Sequence, residues 1–183
     1  MVGEALSKPW TSTSRRYNAL APFSYTELNV LCLCPMRDAD FETIFEFQAD
    51  GESCQMAAVP AKTREDYVAH IDKIQANPDN IIRIIENEGK IVGFALSWLA
   101  GEGRTLGYWI GREFWGQGFA SQGLALLLQE LPERPLIAHV ADSNLGSKRV
   151  LEKNGFALVS AETINDLNFG QVELLKYQLS SPN

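Results

Sequence analysis

The chain predicts a mixed α/β domain, with a mostly antiparallel central sheet of six to seven strands flanked by about four helices. Three observations carry this. Three strand-like runs (81–85, 91–99 and 105–110) follow one another across short glycine-containing turns, as in an antiparallel meander. Ala120, Leu124, Leu127, Leu128 and Leu131 recur at i, i+4, i+7, i+8 and i+11, giving one apolar helical face. The full order of elements is β-α-α-β-β-β-α-β-α-β-β, which calls for one sheet with helices on its faces.

Residues 1–24 are polar, rich in Ser and Thr, and without a sustained period. They read as an N-terminal arm or tail, with residues 1–7 also able to start a short helix. The domain is expected over 25–183. Residues 28–33 read as its first strand, ended by Pro35. Asp38 is placed to cap a helix that turns Phe41, Ile44 and Phe45 inward. Thr63, with Asp66 three residues on, caps a second helix carrying Tyr67, Ile71 and Ile74. Asn77-Pro78-Asp79-Asn80 is a turn. Glu88-Gly89 and Gly101-Glu102-Gly103 are the turns of the meander. Pro132 stops the helix that carries Leu124. Residues 136–140 form a short buried strand, and 144–154 a helix with Val150 and Leu151 inward and Gly155 as its C-cap. Residues 157–163 and 172–179 close the order as a strand pair.

Composition bounds the function. The 183 residues suit one domain, and 45% hydrophobic and 21% charged residues are ordinary for a soluble globular protein. No apolar stretch is long enough to span a bilayer, and residues 1–19 lack the pattern of a secretory signal, so a cytoplasmic protein is expected. Three cysteines, Cys32, Cys34 and Cys54, do not make a disulfide framework. Cys32 and Cys34 should share a strand face, yet no second cysteine pair or histidine cluster completes a ligand set, so they read as ordinary strand residues and no metal is expected. A formal net charge of −7 argues against nucleic-acid binding. It fits a cationic substrate or simply a solvated acidic surface.

The informative segment is 106–122, LGYWIGREFWGQGFASQ: a strand, a glycine-rich turn, then a helix. The first N–H groups of such a helix have no internal partner, and with the helix dipole they form an anion site that a diphosphate fits. A P-loop is ruled out because no Gly-Lys-Ser/Thr follows. A dinucleotide fingerprint nearly matches but departs at Ser121 and lies after several antiparallel strands. On this loop alone, anion binding and a purely structural turn both stay open.

A second constellation follows the next strand: 144–156, NLGSKRVLEKNGF. With it the chain resembles the GNAT superfamily, and within it the branch of the ribosomal-protein alanine N-acetyltransferases. The matched features are the aromatic-Gly-x-Gly-aromatic-Ala turn at Trp115 to Ala120 and Asn-x-x-Ser with Val-Leu-Glu-Lys-x-Gly-Phe at Asn144 to Phe156. The early 31–40, LCLCPMRDAD, is similar to the family's first strand and helix start. The likeness spans roughly 27–179 and implies the GNAT fold and transfer of an acetyl group from acetyl-coenzyme A to a primary amine, with no metal.

Carried over by position, the resemblance implies that Gln117, Gly118, Phe119, Ala120 and Ser121 offer backbone N–H groups to the coenzyme A diphosphate. Trp109 and Ile110 would pair with the pantetheine arm, and Ile110 N–H would stabilise the oxyanion. Asn144 would bond pantetheine or nearby backbone. Ser147 falls where the branch has a hydroxyl that protonates the leaving thiolate, or it bonds backbone at a helix start. Lys148, Arg149 and Lys153 would meet the adenosine phosphate or form a solvated face. The chain departs from the family at Gln122 (often Glu), at Trp115 and Gln117 (a basic residue is common nearby) and at Cys34 (usually Arg).

No general base is evident. The strand 105–110 carries no carboxylate. His139, on the adjoining strand, is of the residue type that suits base work at neutral pH, or is a packing residue. Glu52, Glu102 and Asp142 are further candidates. A weak base suits an α-amine, with a pKa of about 7.7–8.0, better than a lysine at about 10.4. The acceptor, a protein N-terminus or a small-molecule amine, is expected around Phe45, Glu52, Trp98 and Phe169. A non-catalytic coenzyme A-binding module of the same fold and a larger acyl donor are the rival readings. A homodimer that uses residues 17–26 stays open beside a monomer.

Overall fold

A computed structural model describes residues 31–101 and 103–181. The expected N-terminal arm, the start of the first strand and Glu102 lie outside the described residues. Seven strands form one sheet: β1 (Leu31–Pro35), β2 (Ile81–Asn87), β3 (Lys90–Ala100), β4 (Gly103–Ile110), β5 (Leu136–Ala141), β6 (Ala157–Asp166) and β7 (Gly170–Leu179), in the order β1-β2-β3-β4-β5-β7-β6. All neighbours are antiparallel except β4 and β5.

The meander is as expected, and its first turn shows why. Glu88 and Gly89 have φ of 52° and 75°, the pair of left-handed residues that suits the twist of a two-residue hairpin. Ladder register then separates the two faces. Ile85, Gly93 and Ile110 lie in line on one face, and Ile84, Phe94 and Trp109 on the other. α4 (Phe119–Glu130) covers the first, where a Cβ on Gly123 would stand 2.7 Å from Ile85 Cδ1. α1 (Phe41–Ala49) covers the second, and its Phe47 carbonyl accepts a 2.8 Å bond from Trp109 Nε1. α3 (Arg64–Gln75) packs on β2, and α5 (Leu145–Lys153) on β5 and α4.

Five helices form where about four were expected. The extra one is α2 (Gly51–Ala57), set off from α1 by the extended conformation of Asp50. The Asp50 carboxylate accepts from Ser53 N–H at 2.8 Å and caps the new helix. That short Asp-x-x-Ser signal lies directly against α1 and has no apolar period behind it.

Asp38 does not cap α1. It opens a 3₁₀ turn, Asp38–Asp40, and buried Asp40 instead accepts from the backbone and guanidinium of Arg37. The inward residues of α1 are Ile44 and Phe47, with Phe41 and Phe45 half-buried. Thr63 caps α3 as expected, its hydroxyl accepting from Asp66 N–H at 3.1 Å. No helix among the described residues is long and apolar enough to cross a membrane.

β3 and β4 touch so closely at Gly93 that a Cβ there would lie 2.2 Å from the Trp109 carbonyl oxygen. A backbone oxygen held in a ladder cannot swing away. Gly93→Ala should therefore destabilise the fold by about 1–3 kcal/mol, the usual cost of overpacking. Urea unfolding measures it, and an unchanged midpoint would contradict the close approach.

Candidate functional site

β4 and β5 pair only at Arg104–Leu136 and Thr105–Ile137. Beyond Thr105 the two strands part, and the gap between them organises the site. Antiparallel alternation decides which backbone groups face it. Gly111 N–H donates to the Val92 carbonyl at 3.0 Å, so Trp109 and Phe94 form a bonded pair, and the N–H and C=O of Tyr108 and Ile110 turn to the gap. Trp115 Nε1 caps the Ile110 carbonyl at 2.9 Å and leaves the Ile110 N–H presented. The Ile110 N–H thus faces the gap. Trp109 does not: its backbone belongs to the β3 ladder and its indole to Phe47, so Tyr108 takes its place along the gap.

The glycine turn opens α4 beside this gap. Gly116 and Gly118 have φ of 75° and 85°, a region that side chains with a Cβ rarely enter. Gly118 is the N-cap and brings no side-chain acceptor, and the first turn of α4 holds no acidic residue. The first helical bond of this turn is Gln122 N–H to Gly118 C=O at 3.1 Å, so the N–H groups of Phe119, Ala120 and Ser121 have no acceptor within the helix. The Gln117 side chain is drawn aside to the Glu113 carbonyl at 3.2 Å. The Gln122 amide, 3.5 Å from where a Gly118 Cβ would be, brings no negative charge to the anion site. Ser121 Oγ accepts from Asn154 Nδ2 at 3.2 Å, which ties α4 to the end of α5.

Across the gap stands α5. Asn144 caps it by accepting from Ser147 N–H at 3.0 Å, the nearby-backbone alternative for Asn144. The Ser147 hydroxyl is not spent on that cap. It lies 2.8 Å from the Tyr108 hydroxyl, which also approaches the Ser147 carbonyl at 3.2 Å. Burial pushes the Tyr108 phenol up to about 12, with the Ser147 hydrogen bond pulling back, so it is neutral and able to donate at pH 7. Sequence reasoning missed Tyr108. The signal was its place one residue before Trp109 on the alternating strand, together with a partner 39 residues away that no local pattern reveals.

The other expected residues fall apart in space. His139 is exposed, so it is not a packing residue. It shares a face with Ile137, in line with Thr105 and Trp109, opposite the face of Tyr108. The structure thus does not join it to Ser147. Lys148 is bound to Asp142 at 2.5 Å, which removes it from the set for an adenosine phosphate, while Arg149 and Lys153 are exposed.

A cleft of about 610 Å³ lies between α2 and the β6–β7 hairpin, lined by Glu52, Gln55, Met56, Asp142, Phe169 and Glu173 among others. It takes in Glu52 and Phe169 of the expected acceptor residues. Phe45 lines a separate small cavity with Tyr67 and Trp109, and Trp98 packs against Gly107. Arg112, in the turn after β4, pairs with Glu52 at 2.9 Å and Asp50 at 3.3 Å and so holds α2 at the cleft wall.

Comparison with known proteins places the fold in a family. The family model described as acetyltransferase (GNAT) domain matches residues 31–157. The chain belongs to this family, and membership indicates acyl transfer from acetyl-coenzyme A. Comparison with curated proteins finds no match. Among solved structures, a GNAT-family acetyltransferase from Bacillus anthracis is similar at TM-score 0.69 and 19% identity, covering 82% of this chain and 94% of that one. A spermidine N-acetyltransferase from Vibrio cholerae, in complex with coenzyme A and spermine, is similar at TM-score 0.72 and 15% identity, over 82% and 95%. RimL, a ribosomal L7/L12 alpha-N-protein acetyltransferase in complex with coenzyme A, gives 0.71 and 16%, over 82% and 93%.

Asn144 is first a helix cap. Asn144→Ala should cost about 0.5–2 kcal/mol of stability, and Asn144→Asp should keep most of it. Thermal unfolding of the two variants checks this; equal losses would assign Asn144 another role.

Proposed function

We propose that this chain transfers an acetyl group from acetyl-coenzyme A directly to a primary amine, carried on a protein N-terminus or a small molecule. The observation that carries the reading is the gap between β4 and β5. It has an uncapped helix N-terminus at one side, the Ile110 N–H and the Tyr108–Ser147 pair along it, and an open cleft nearby. Acetyl-coenzyme A supplies the activated thioester. The N–H groups of Gln117, Gly118, Phe119, Ala120 and Ser121 hold its diphosphate. Tyr108 and Ile110 bond its extended arm as a strand would. Ile110 N–H donates to the thioester oxygen as charge builds there. The new C–N bond forms as the C–S bond breaks. Ser147 passes its hydroxyl proton to the departing sulfur and takes one in turn from the Tyr108 phenol that holds it, while the newly bonded nitrogen sheds its proton to water and water returns one to Tyr108.

Deprotonation of the amine has weak support from the site. Glu52 and Asp142 stand in ion pairs with Arg112 and Lys148. This favours an acceptor of low pKa, such as an α-amine, which is partly neutral at pH 7. The carboxylates of Glu52, Asp142 and Glu173 around the cleft favour a cationic acceptor. The three free cysteines fit a cytoplasmic setting. The same pairing of the cleft carboxylates favours the second reading, a coenzyme A-binding module without turnover.

Thiol release from acetyl-coenzyme A, followed colorimetrically, separates the two readings. The panel is peptides with free or blocked N-termini, polyamines and aminoglycosides. Turnover with free α-amines ahead of blocked lysine peptides is expected. Coenzyme A binding without any turnover would favour the module, and loss of binding as well would end both readings.

Within the active enzyme, Ser147→Ala should lower kcat roughly a hundredfold, the low end for a general acid, since a thiolate already leaves readily. Tyr108→Phe should lower kcat roughly tenfold with KM for acetyl-coenzyme A unchanged. An unchanged kcat in Ser147→Ala would remove the proton-donor role.

A further inference from the structure

The sequence offers Cys32 and Cys34 as strand residues without a third ligand. The register of β1 against β2 supplies one. Cys32 lies directly opposite Glu86, and Cys34 projects to the same face two residues on. The two Sγ atoms stand 3.6 Å apart. Both sulfurs and a Glu86 carboxylate oxygen lie within 4.8 Å of one another. We propose that Cys32, Cys34 and Glu86 form a binding site for a divalent ion of the zinc class, with a water completing a tetrahedral set.

The spacing matches the chemistry. At a Zn–S length of about 2.3 Å and tetrahedral angles, two thiolates on one ion stand about 3.8 Å apart. The thiols need to move by only about 0.2 Å to meet that separation. A disulfide fits less well. Same-face neighbours along a strand have Cα atoms about 6.6–6.8 Å apart, at the far end of disulfide geometry, and the sulfurs would have to close to about 2.05 Å. All three ligand residues are half-buried, so an ion has access from solvent.

The surroundings orient the carboxylate and balance charge. The Arg37 guanidinium donates to Glu86 Oε1, and Asp40, with a side chain 4% exposed, holds Arg37 at 3.0 Å. Such outer bonds fix a ligating carboxylate and leave its second oxygen for the ion. Two thiolates neutralise the ion, while Asp40 and Glu86 against Arg37 leave one net negative charge. As the two S–metal bonds form, the two thiols release their protons to solvent. β1 stands at one end of the strand order, three strand spacings or roughly 14 Å from β4. The ion therefore ties an edge strand to its neighbour, apart from the acyl-transfer site.

Cobalt(II) titration of the reduced full-length protein tests this. One ion per chain should bind, with thiolate-to-cobalt charge-transfer absorption and the visible bands of a tetrahedral ion, both erased by zinc. Cys32→Ser and Cys34→Ser should each weaken binding tenfold or more, and Glu86→Gln roughly tenfold while keeping both thiols. Cys54→Ser, whose thiol donates to the Gln48 carbonyl, should change nothing. Zinc at about one hundred times its dissociation constant should raise Tm by roughly 5 °C or more. Circular dichroism confirms that each variant is folded. No charge-transfer band in the wild type, or a band that survives both serine variants, overturns the site.

Discussion

Two parallel strands that share only two residue pairs set the terms for the rest of this molecule. β5 has its other edge engaged by β7 along Leu136–Ala141, which holds it in the sheet while its β4-facing edge parts. β4 does give something up. The backbone groups of Tyr108 and Ile110 face the gap without a strand partner, and unpaired backbone polar groups are costly unless water or a ligand meets them. The protein meets one of them itself, with the Trp115 indole on the Ile110 carbonyl. The remaining groups leave an open strand edge, and the same edge ends at the turn into α4.

Holding that gap open takes packing from both faces. α4 presses on the sheet at Gly123, where the missing side chain admits Ile85. α1 presses on the other face through Phe47, whose ring lies 2.6 Å from where a Gly111 Cβ would be. Gly111 is the residue at which the chain leaves β4, so the absence of a side chain there lets the strand end against α1 without displacing it. Trp109 completes the arrangement. Its indole reaches across to α1, and its backbone stays in the β3 ladder, which keeps β4 attached to β3 while it parts from β5.

What the sequence made legible was local. The Glu88-Gly89 hairpin, the Thr63 cap, the apolar face of α4 and the two glycine turns each rest on residues within one turn or one helix of each other, where period and capping speak directly. What it hid was cross-chain. Tyr108 and Ser147 meet over 39 residues, and Cys32 meets Glu86 only through strand register. Lys148 looked free for a phosphate because its partner Asp142 lies across the start of α5, on no shared helical face. α2 escaped for a different reason: one Asp-x-x-Ser cap starts seven residues too short to show a period. His139 shows the limit of composition, since the apolar strand around it suggested burial, yet it is the one exposed residue of β5.

The acidity of the chain and its anion site then belong together. With a net charge of −7, a diphosphate pocket built on long basic side chains would work against a repulsive field. Backbone N–H groups at a helix start act at hydrogen-bond range and are fixed in direction, so the field of distant carboxylates weakens them little. The same acidity gathers at the cleft through Glu52, Asp142 and Glu173, the charge that the proposed cationic acceptor would meet. Arg112 and Lys148 are spent on tying Glu52 and Asp142 in place rather than on phosphate. On the proposed function, an acidic surface would accommodate a polyanionic donor by confining the attraction to one uncapped turn, and would leave the rest of its field for the acceptor.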